Sequence, residues 1–360
     1  MFSKSIYLVM FLLLPSAWAL TGLVRKYATR QGIMDIPNSR SSHSIPKPRG
    51  GGLSFVIVFL LFAGIYFYIT DAPISMSLGL IGPGMVIAAV GWLDDKKNVF
   101  ALLRAAIHLL AAIWAVQSLG GVQEIRIGAF TVELGFLGSA LAVFGIVWSI
   151  NMYNFMDGID GLAASEAVVV SIIGGILALT LGNMPVALLA FGVSLSVAGF
   201  LIWNWPPAKI FMGDVGSGFL GFVFAYLALL SEKTSGVPLI VWIMLLSVFV
   251  VDATLTLLRR VFSGERWYEA HRTHVYQLAV QARCSHRQVT VAIVTVNLIL
   301  GVLGAVANIY TQLGFAILIV VYVLLAAAHV HYYRKWSSIT VAKSFAGNNR
   351  ESMPNEHMSS

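Results

Sequence analysis

One cysteine, Cys284, stands in the whole 360-residue chain, so no internal disulfide framework can hold it together. Charge is as scarce as thiol. Asp, Glu, Lys and Arg together make up 11% of the residues, where an ordinary soluble domain carries about a quarter. That scarcity excludes a water-soluble globular domain and a charged, disordered chain alike. What fills the sequence instead is apolar: 58% hydrophobic residues and a mean hydropathy of +0.83. Such a chain is an all-α polytopic membrane protein, since helices satisfy their own backbone in lipid.

A span needs about 20 apolar residues to cross roughly 30 Å of hydrocarbon. Eleven stretches qualify as candidates: 5–24, 53–70, 76–93, 99–119, 136–151, 162–181, 184–204, 217–232, 238–258, 288–309 and 312–333. Between the fourth and fifth, "EIRIGAFTVELG" alternates apolar and polar residues, which predicts a small β-hairpin outside the lipid near 124–135. One membrane domain over 1–336 is expected, followed by a polar tail, 337–360, whose composition predicts disorder.

The first run ends in "SAWA", which resembles a secretory cleavage site. Charge placement argues for keeping it as a helix. With the N-terminus outside and the C-terminus in the cytoplasm, most of the 23 basic residues fall in inner loops, among them Arg25, Lys26, Arg49, Lys96, Lys97, Arg259, Arg260, Arg266 and Arg272. Removing the first helix would invert that bias. The net charge of +7 then follows from topology and anionic lipid headgroups, and no nucleic-acid partner is called for.

The same topology sorts the acids. Asp94 and Asp95 in "GWLDDKKN", Asp157 and Asp160 in "NMYNFMDGIDGL", and Asp214 in "KIFMGDVGSG" all fall at cytoplasmic ends of spans, beside the histidines of "EAHRTHVYQ". A helix-ending acid or a tight glycine turn accounts for any one of these loops taken alone. Together they are costly, because carboxylates near lipid are expensive and clustered ones repel. A hard cation among them removes the cost. Mg²⁺ takes oxygen ligands, keeps several waters and combines one or two carboxylates with substrate phosphates, so the cluster points to metal-assisted phosphate transfer. The paired Asp94 and Asp95 also offer a base, since a second acid raises the pKa of one. Arg104, about two turns into the fourth span, is tolerable there if it meets an anion such as a lipid phosphate, or if it snorkels to the headgroups.

In this order and on one face, "GWLDDKKN", "NMYNFMDGIDGLA", "KIFMGDVGSG" and "HRTHVYQ" resemble the motifs of the polyprenyl-phosphate N-acetylhexosamine-1-phosphate transferases. The loop "DIPNSRSSHSIPKPRGGG" resembles that family's first cytoplasmic loop, and the likeness runs from about residue 30 to 335. The resemblance implies Asp94 and Asp95 as catalytic acids acting on the polyprenyl phosphate, and Asn154 and Asp214 as Mg²⁺ ligands, with Mn²⁺ as a substitute. It implies Asp157, Asp160, Gly161 and Leu162 at the nucleotide, His271, Arg272 and His274 at the diphosphate or sugar, and Arg104 at the lipid phosphate. The implied partners are a UDP-HexNAc donor, undecaprenyl phosphate and the bilayer of a bacterial inner membrane, with a homodimer as a candidate assembly.

"HRTHVYQ" departs from the triple histidine of the branch that transfers phospho-MurNAc-pentapeptide. That difference implies a smaller donor, such as UDP-FucNAc or UDP-QuiNAc, and a place at the start of O-antigen or other surface polysaccharide. A UDP-GlcNAc-specific, teichoic-acid or peptidoglycan-type member is the alternative. A transporter would use Arg104, His108 and Asp252 inside the spans, but no internal repeat is visible and the acids line one surface rather than a midplane. The pattern of the CDP-alcohol phosphotransferases is not found around these acids.

Overall fold

The computed structural model describes residues 4–37, 45–127, 130–266 and 271–351. His43 in the first basic loop and Trp267, which the sequence suggests for the membrane interface, lie outside the described residues. The order of elements is α1 (Lys4–Arg30), β1 (Met34–Asp35), β2 (Lys47–Pro48), α2 (Leu53–Ile69), α3 (Ile74–Lys97), α4 (Ala101–Ser118), β3 (Glu124–Ile127), β4 (Phe130–Glu133) and α5 (Phe136–Phe155). There follow α6 (Leu162–Thr180), α7 (Met184–Asn204), α8 (Asp214–Lys233), α9 (Leu239–Leu245), α10 (Ser247–Phe262), α11 (Val275–Gln281), α12 (His286–Ile309) and α13 (Thr311–Glu351). The protein is an all-α polytopic membrane protein. α13 runs past Ser337, where the polar tail begins.

Each of the eleven apolar runs has a helical counterpart, but two are not straight full-length spans. Among the described residues, nine helices are long and apolar enough to cross a membrane, and α2 is a shorter apolar helix of 17 residues. The run at 238–258 is two helices, α9 and α10, bent by 75° at Leu246. At the bend the Ser247 hydroxyl donates back to the carbonyl of Met244, a side-chain bond of the kind that competes with the helical ladder. Hydropathy reports only the length of such a run, so the bend is invisible to it.

α8 is the hub. Its apolar window is 89% buried, whereas that of α13 is 17% buried, so α8 is surrounded by protein and α13 largely faces lipid. α8 packs on α3 and α5, and α6 packs on α7 and α12. Lipid is as apolar as leucine, so close backbone approach rather than hydrophobicity drives such contacts. Gly221 makes one of them: a Cβ there would lie 2.3 Å from the carbonyl oxygen of Ser149 on α5, whose hydroxyl donates to the Gly221 carbonyl at 2.7 Å.

The predicted hairpin forms as β3 and β4 in antiparallel register, with Ile125 opposite Val132. A latch holds it to the α8–α9 connection. Glu232 Oε1 accepts from Arg126 N at 2.7 Å and Nε at 3.0 Å, and Oε2 accepts from Leu239 N at 2.7 Å. The acidic motifs gather at the opposite end, where α3, α5 and α10 terminate and α2, α6 and α8 begin.

Candidate active site

The C-terminus of α3 and the N-terminus of α8 are locked together by Asp95. Its Oδ1 accepts from Asp214 N at 3.0 Å and its Oδ2 from Val215 N at 3.3 Å, so a carboxylate from one helix serves the free N–H groups that open another. Gly213, at φ +77°, makes the turn into α8 and leaves space for this carboxylate; a Cβ there would stand 2.4 Å from Asp95 Oδ2. Arg49 closes the same joint by donating Nε to the carbonyl of Asp95 at 2.8 Å. Asp95 is therefore 3% exposed and its two oxygens are engaged within the fold. The sequence pairs it with Asp94 as a catalytic acid, yet the geometry divides the two.

Asp94 faces the cluster. Its Oδ1 accepts from Val99 N at 2.6 Å, and its Oδ2 pairs with Arg104 Nη1, which also reaches Asp214 Oδ2 at 2.8 Å. Asn154, at the end of α5, donates its Nδ2 to Asp214 Oδ1 at 2.8 Å and to Ser217 Oγ at 3.1 Å. Four residues from four helices thus converge: Asp94, Arg104, Asn154 and Asp214. Arg104 spends its charge on two carboxylates, which supplies the anion that its place in a span requires. Among the described residues, no set of three His, Cys, Asp or Glu groups stands in metal-holding geometry. The donor set is two carboxylates and an amide, hard oxygen chemistry suited to a cation that arrives with phosphates.

The 157–161 turn sits beside this cluster. Asp160 is 5% exposed and is held from several sides. Its Oδ2 accepts from Ala208 N at 2.9 Å and lies 3.4 Å from Lys47 Nζ, while Oδ1 stands 3.4 Å from His286 Nδ1. Burial raises its pKa, but the His286 ring, the Ala208 N–H and the Lys47 ammonium outweigh that and hold the carboxyl below its usual range. Gly161 N donates to Asn204 Oδ1 at 3.0 Å, and Leu162 opens α6 fully buried. Lys47 also lies over the ring of Phe211, 5.3 Å from its centroid.

Asp157 behaves in the opposite way. It has no side-chain hydrogen-bond partner among the described residues. Desolvation, with Asp214, Asp95 and Asp160 adding repulsion, pushes its carboxyl well above the ordinary range. Two carboxyls three residues apart are thus driven in opposite directions, the pattern by which a site separates a permanently ionised group from one able to carry a proton.

The histidine loop meets the site through Phe155. His274 and His271 stack at 4.9 Å between centroids, and His274 lies 6.1 Å from Phe155, next in sequence to Asn154. Tyr276 donates its hydroxyl to the carbonyl of Phe155 at 2.8 Å. Burial, with His274, Arg260 and Arg259 nearby, pushes the His271 ring down to about 4, so this ring is neutral near pH 7. Arg272 is exposed; its carbonyl accepts from Gln281 Nε2 at 2.8 Å.

The structure thus gathers Asp94, Asp95, Arg104, Asn154 and Asp214 in one cluster, adjoins Asp157, Asp160, Gly161 and Leu162, and ties in His271 and His274 through Phe155. Among the described residues, Arg272 adjoins them through the loop, its carbonyl bonded to Gln281. Residues that sequence reasoning passed over include Asn204, His286 and Thr290, whose hydroxyl donates to the carbonyl of Asp160 at 3.2 Å. No local signal marks them, since each acts on a partner more than forty positions away.

Residues 77–232 match the model of glycosyl transferase family 4, a stretch that holds the aspartate pair, the asparagine motif and the glycine-flanked Asp214. Over that stretch the chain is similar to this family. Among curated relatives, the chain is 29% identical to the probable undecaprenyl-phosphate N-acetylglucosaminyl 1-phosphate transferase of Bacillus subtilis (strain 168), over 86% of the chain and 87% of the relative. It is 25% identical to the undecaprenyl-phosphate alpha-N-acetylglucosaminyl 1-phosphate transferase of Yersinia pestis, over 100% and 99% of the two chains. The Haemophilus influenzae protein of the same name is 29% identical over 87% of the chain and 92% of its own length. In glycosyl transferase family 4 terms, the match covers the motif-bearing helices α3 to α8, whereas the histidine loop and α12 lie beyond it.

Proposed function

We propose that the chain transfers a HexNAc-1-phosphate from a UDP-HexNAc to undecaprenyl phosphate, releasing UMP. The observation that carries this reading is the convergence of Asp94, Arg104 and Asn154 on Asp214 at one end of the bundle, beside a turn whose two acids are driven apart in pKa. The names of the relatives support both the acceptor and the transferred group.

In this reading the lipid phosphate approaches Arg104, which exchanges part of its contact with Asp94 and Asp214 for the incoming anion. Asp94 takes a proton from that phosphate once Arg104 has turned to the anion, while Asp95 keeps α8 in place. Asp160, Gly161 and Leu162 hold the nucleotide with Lys47 and Phe211 beside them, and His271, Arg272 and His274 face the diphosphate and sugar. Asp214 and the Asn154 amide oxygen would hold Mg²⁺, or Mn²⁺ in its place, together with donor phosphates. When bound, the ion neutralises charge that develops on the transferred phosphoryl group.

The reading places the acidic end in the cytoplasm of a bacterial inner membrane, where nucleotide sugars are found, with the N-terminus outside. The histidine loop favours a 6-deoxy donor such as UDP-FucNAc or UDP-QuiNAc, for the start of O-antigen synthesis. The relatives' names favour UDP-GlcNAc, and this second reading is separated by a donor panel. Purified full-length protein with undecaprenyl phosphate is expected to release UMP from one UDP-HexNAc above the others; no UMP from any of them overturns the transferase reading. For topology, a Cys284→Ser, Arg287→Cys variant carries its thiol at an exposed position. An impermeant thiol reagent is expected to reach it only after the inner face is opened, and labelling in intact cells overturns the orientation.

A further inference from the structure

The geometry points to Asp252 as the positioning residue for His274: its carboxylate keeps the ring's proton on Nδ1 and leaves Nε2 as the unprotonated nitrogen. The inference deepens the transferase reading and rests on it. Asp252 lies on α10, beyond the bend at Leu246 and outside the acidic cluster, and is 7% exposed. Its Oδ1 accepts from Val275 N at 3.1 Å and from Thr256 Oγ1 at 3.1 Å, and its Oδ2 from Tyr276 N at 3.4 Å. One carboxylate thereby holds the first N–H groups of α11. The same Oδ1 stands 3.5 Å from His274 Nδ1, and His329 Nδ1 approaches it from α13 at 3.6 Å.

His274 is 3% exposed, so its ring state is set by these neighbours and not by water. Around the ring stand Asp252 from α10, His271 from the loop, Tyr276 from α11 and His329 from α13, with Arg259 and Arg260 of α10 acting on the neighbouring His271. Among the described residues, Asp252 is the acid paired with the ring. The backbone N–H of Gln277 also faces the ring and would be served by a bare Nδ1. The carboxylate decides the competition, because a lone pair on Nδ1 would point at a full negative charge in a site shielded from water, whereas a proton there is attracted to it. At 3.5 Å His274 Nδ1 makes no hydrogen bond to the carboxylate, so Asp252 acts on the ring through charge, which biases the tautomer.

The position of the ring matters because it carries onward. His274 stacks against Phe155, and Tyr276 bonds the Phe155 carbonyl, one residue from Asn154. Asp252 thus sets the histidine loop and the asparagine motif in one register. His329, which by sequence merely ends the last span, forms the far wall of this arrangement.

The test uses full-length protein in nanodiscs with ¹⁵N-labelled histidine, and His274→Asn assigns the signal. The wild type is expected to show His274 protonated on Nδ1. Asp252→Asn keeps an oxygen for Val275 N but removes the charge; it is expected to mix the two tautomers and to lower the kcat of UMP release by about 10- to 100-fold, with the KM for the nucleotide sugar within about threefold. Asp252→Glu is expected to recover part of kcat. A wild-type signal from the Nε2-protonated ring overturns the inference whether or not any variant folds. So does Asp252→Asn with wild-type tautomer and wild-type kcat. If no UDP-HexNAc yields UMP with the wild type, the transferase reading falls by that result, while the spectrum still decides the pairing of Asp252 with His274.

Discussion

Each end of the helix bundle holds an arginine against carboxylate, and the two are built to different ends. At the hairpin end, Arg126 and Glu232 use each other up. Both oxygens of Glu232 are taken by N–H donors, and Arg126 Nη2 donates to the carbonyls of Gly236 and Glu232 at 3.1 and 3.4 Å. At the motif end, one guanidinium, Arg104, serves two carboxylates, and Asp157 beside them has none among the described residues. The first arrangement is closed and holds a hairpin. The second has more negative charge than its own cations answer, which the fold tolerates and a bound cation or phosphate-bearing substrate would exploit. The contrast is one of saturation rather than residue type.

The comparison breaks first at Asp214. Asp214→Ala is expected to abolish UMP release, a loss on the order of 10³-fold or more given what one such electrostatic contact is worth in a transition state. EDTA is expected to have the same effect reversibly on the wild type. Full activity in metal-free buffer contradicts the assignment.

The adjacent aspartates should separate next. Asp95→Asn weakens a buried carboxylate that caps α8, so the solubilised protein is expected to lose about 1–3 kcal/mol of stability along with activity. Asp94→Asn is expected to lose activity with its melting temperature nearly unchanged. Equal melting temperatures for the two variants would remove the division of labour between them.

At the hairpin end, Glu232→Ala leaves Arg126 and Leu239 N without their acceptor. A loss of about 1–3 kcal/mol is expected, with kcat and KM both at wild-type values. A change in KM for the nucleotide sugar there would mean that the two ends are coupled.

The smallest effects are in pH. The carboxyl of Asp157 is raised in the folded state, so the folded protein holds that proton more tightly than the unfolded chain. Its contribution is favourable below the unfolded value of about 3.9 and is lost as pH rises through the folded value. Asp157→Asn is expected to melt higher than the wild type at pH 8, with the gap closing at pH 5. Asp160 has the opposite sign: its carboxyl is lowered, so its contribution is present above the unfolded value and is lost as pH falls through the folded one. A melting difference for Asp157→Asn that shrinks with rising pH would reverse this account.

Much of this was legible because the signals are local. Apolar runs report spans by length alone, and acids at the ends of those runs are anomalous wherever lipid is near. Alternating span direction then places Asp94, Asn154, Asp160 and Asp214 at one end before any coordinates are known. Two features escaped. The ninth run contains a bend at Leu246, where Ser247 bonds to Met244, and mean hydropathy registers neither. Asp94 and Asp95 are chemically identical neighbours, and which of them is spent on a helix terminus depends on how α3 is rotated against α8.

By itself, then, the sequence determined the membrane class, the apolar stretches that become helices and the polar residues that interrupt their ends, since hydropathy and residue type are properties of the chain. Only the tertiary structure decided how they are shared out. It committed Asp95 to capping α8, set Arg104 between Asp94 and Asp214, pinned Asp160 with Lys47 and His286, and turned Asp252 towards His274. Those assignments join residues tens to more than a hundred positions apart, and hydrogen bonds of about 3 Å are fixed by helix rotation and close glycine packing, which no single stretch of sequence encodes.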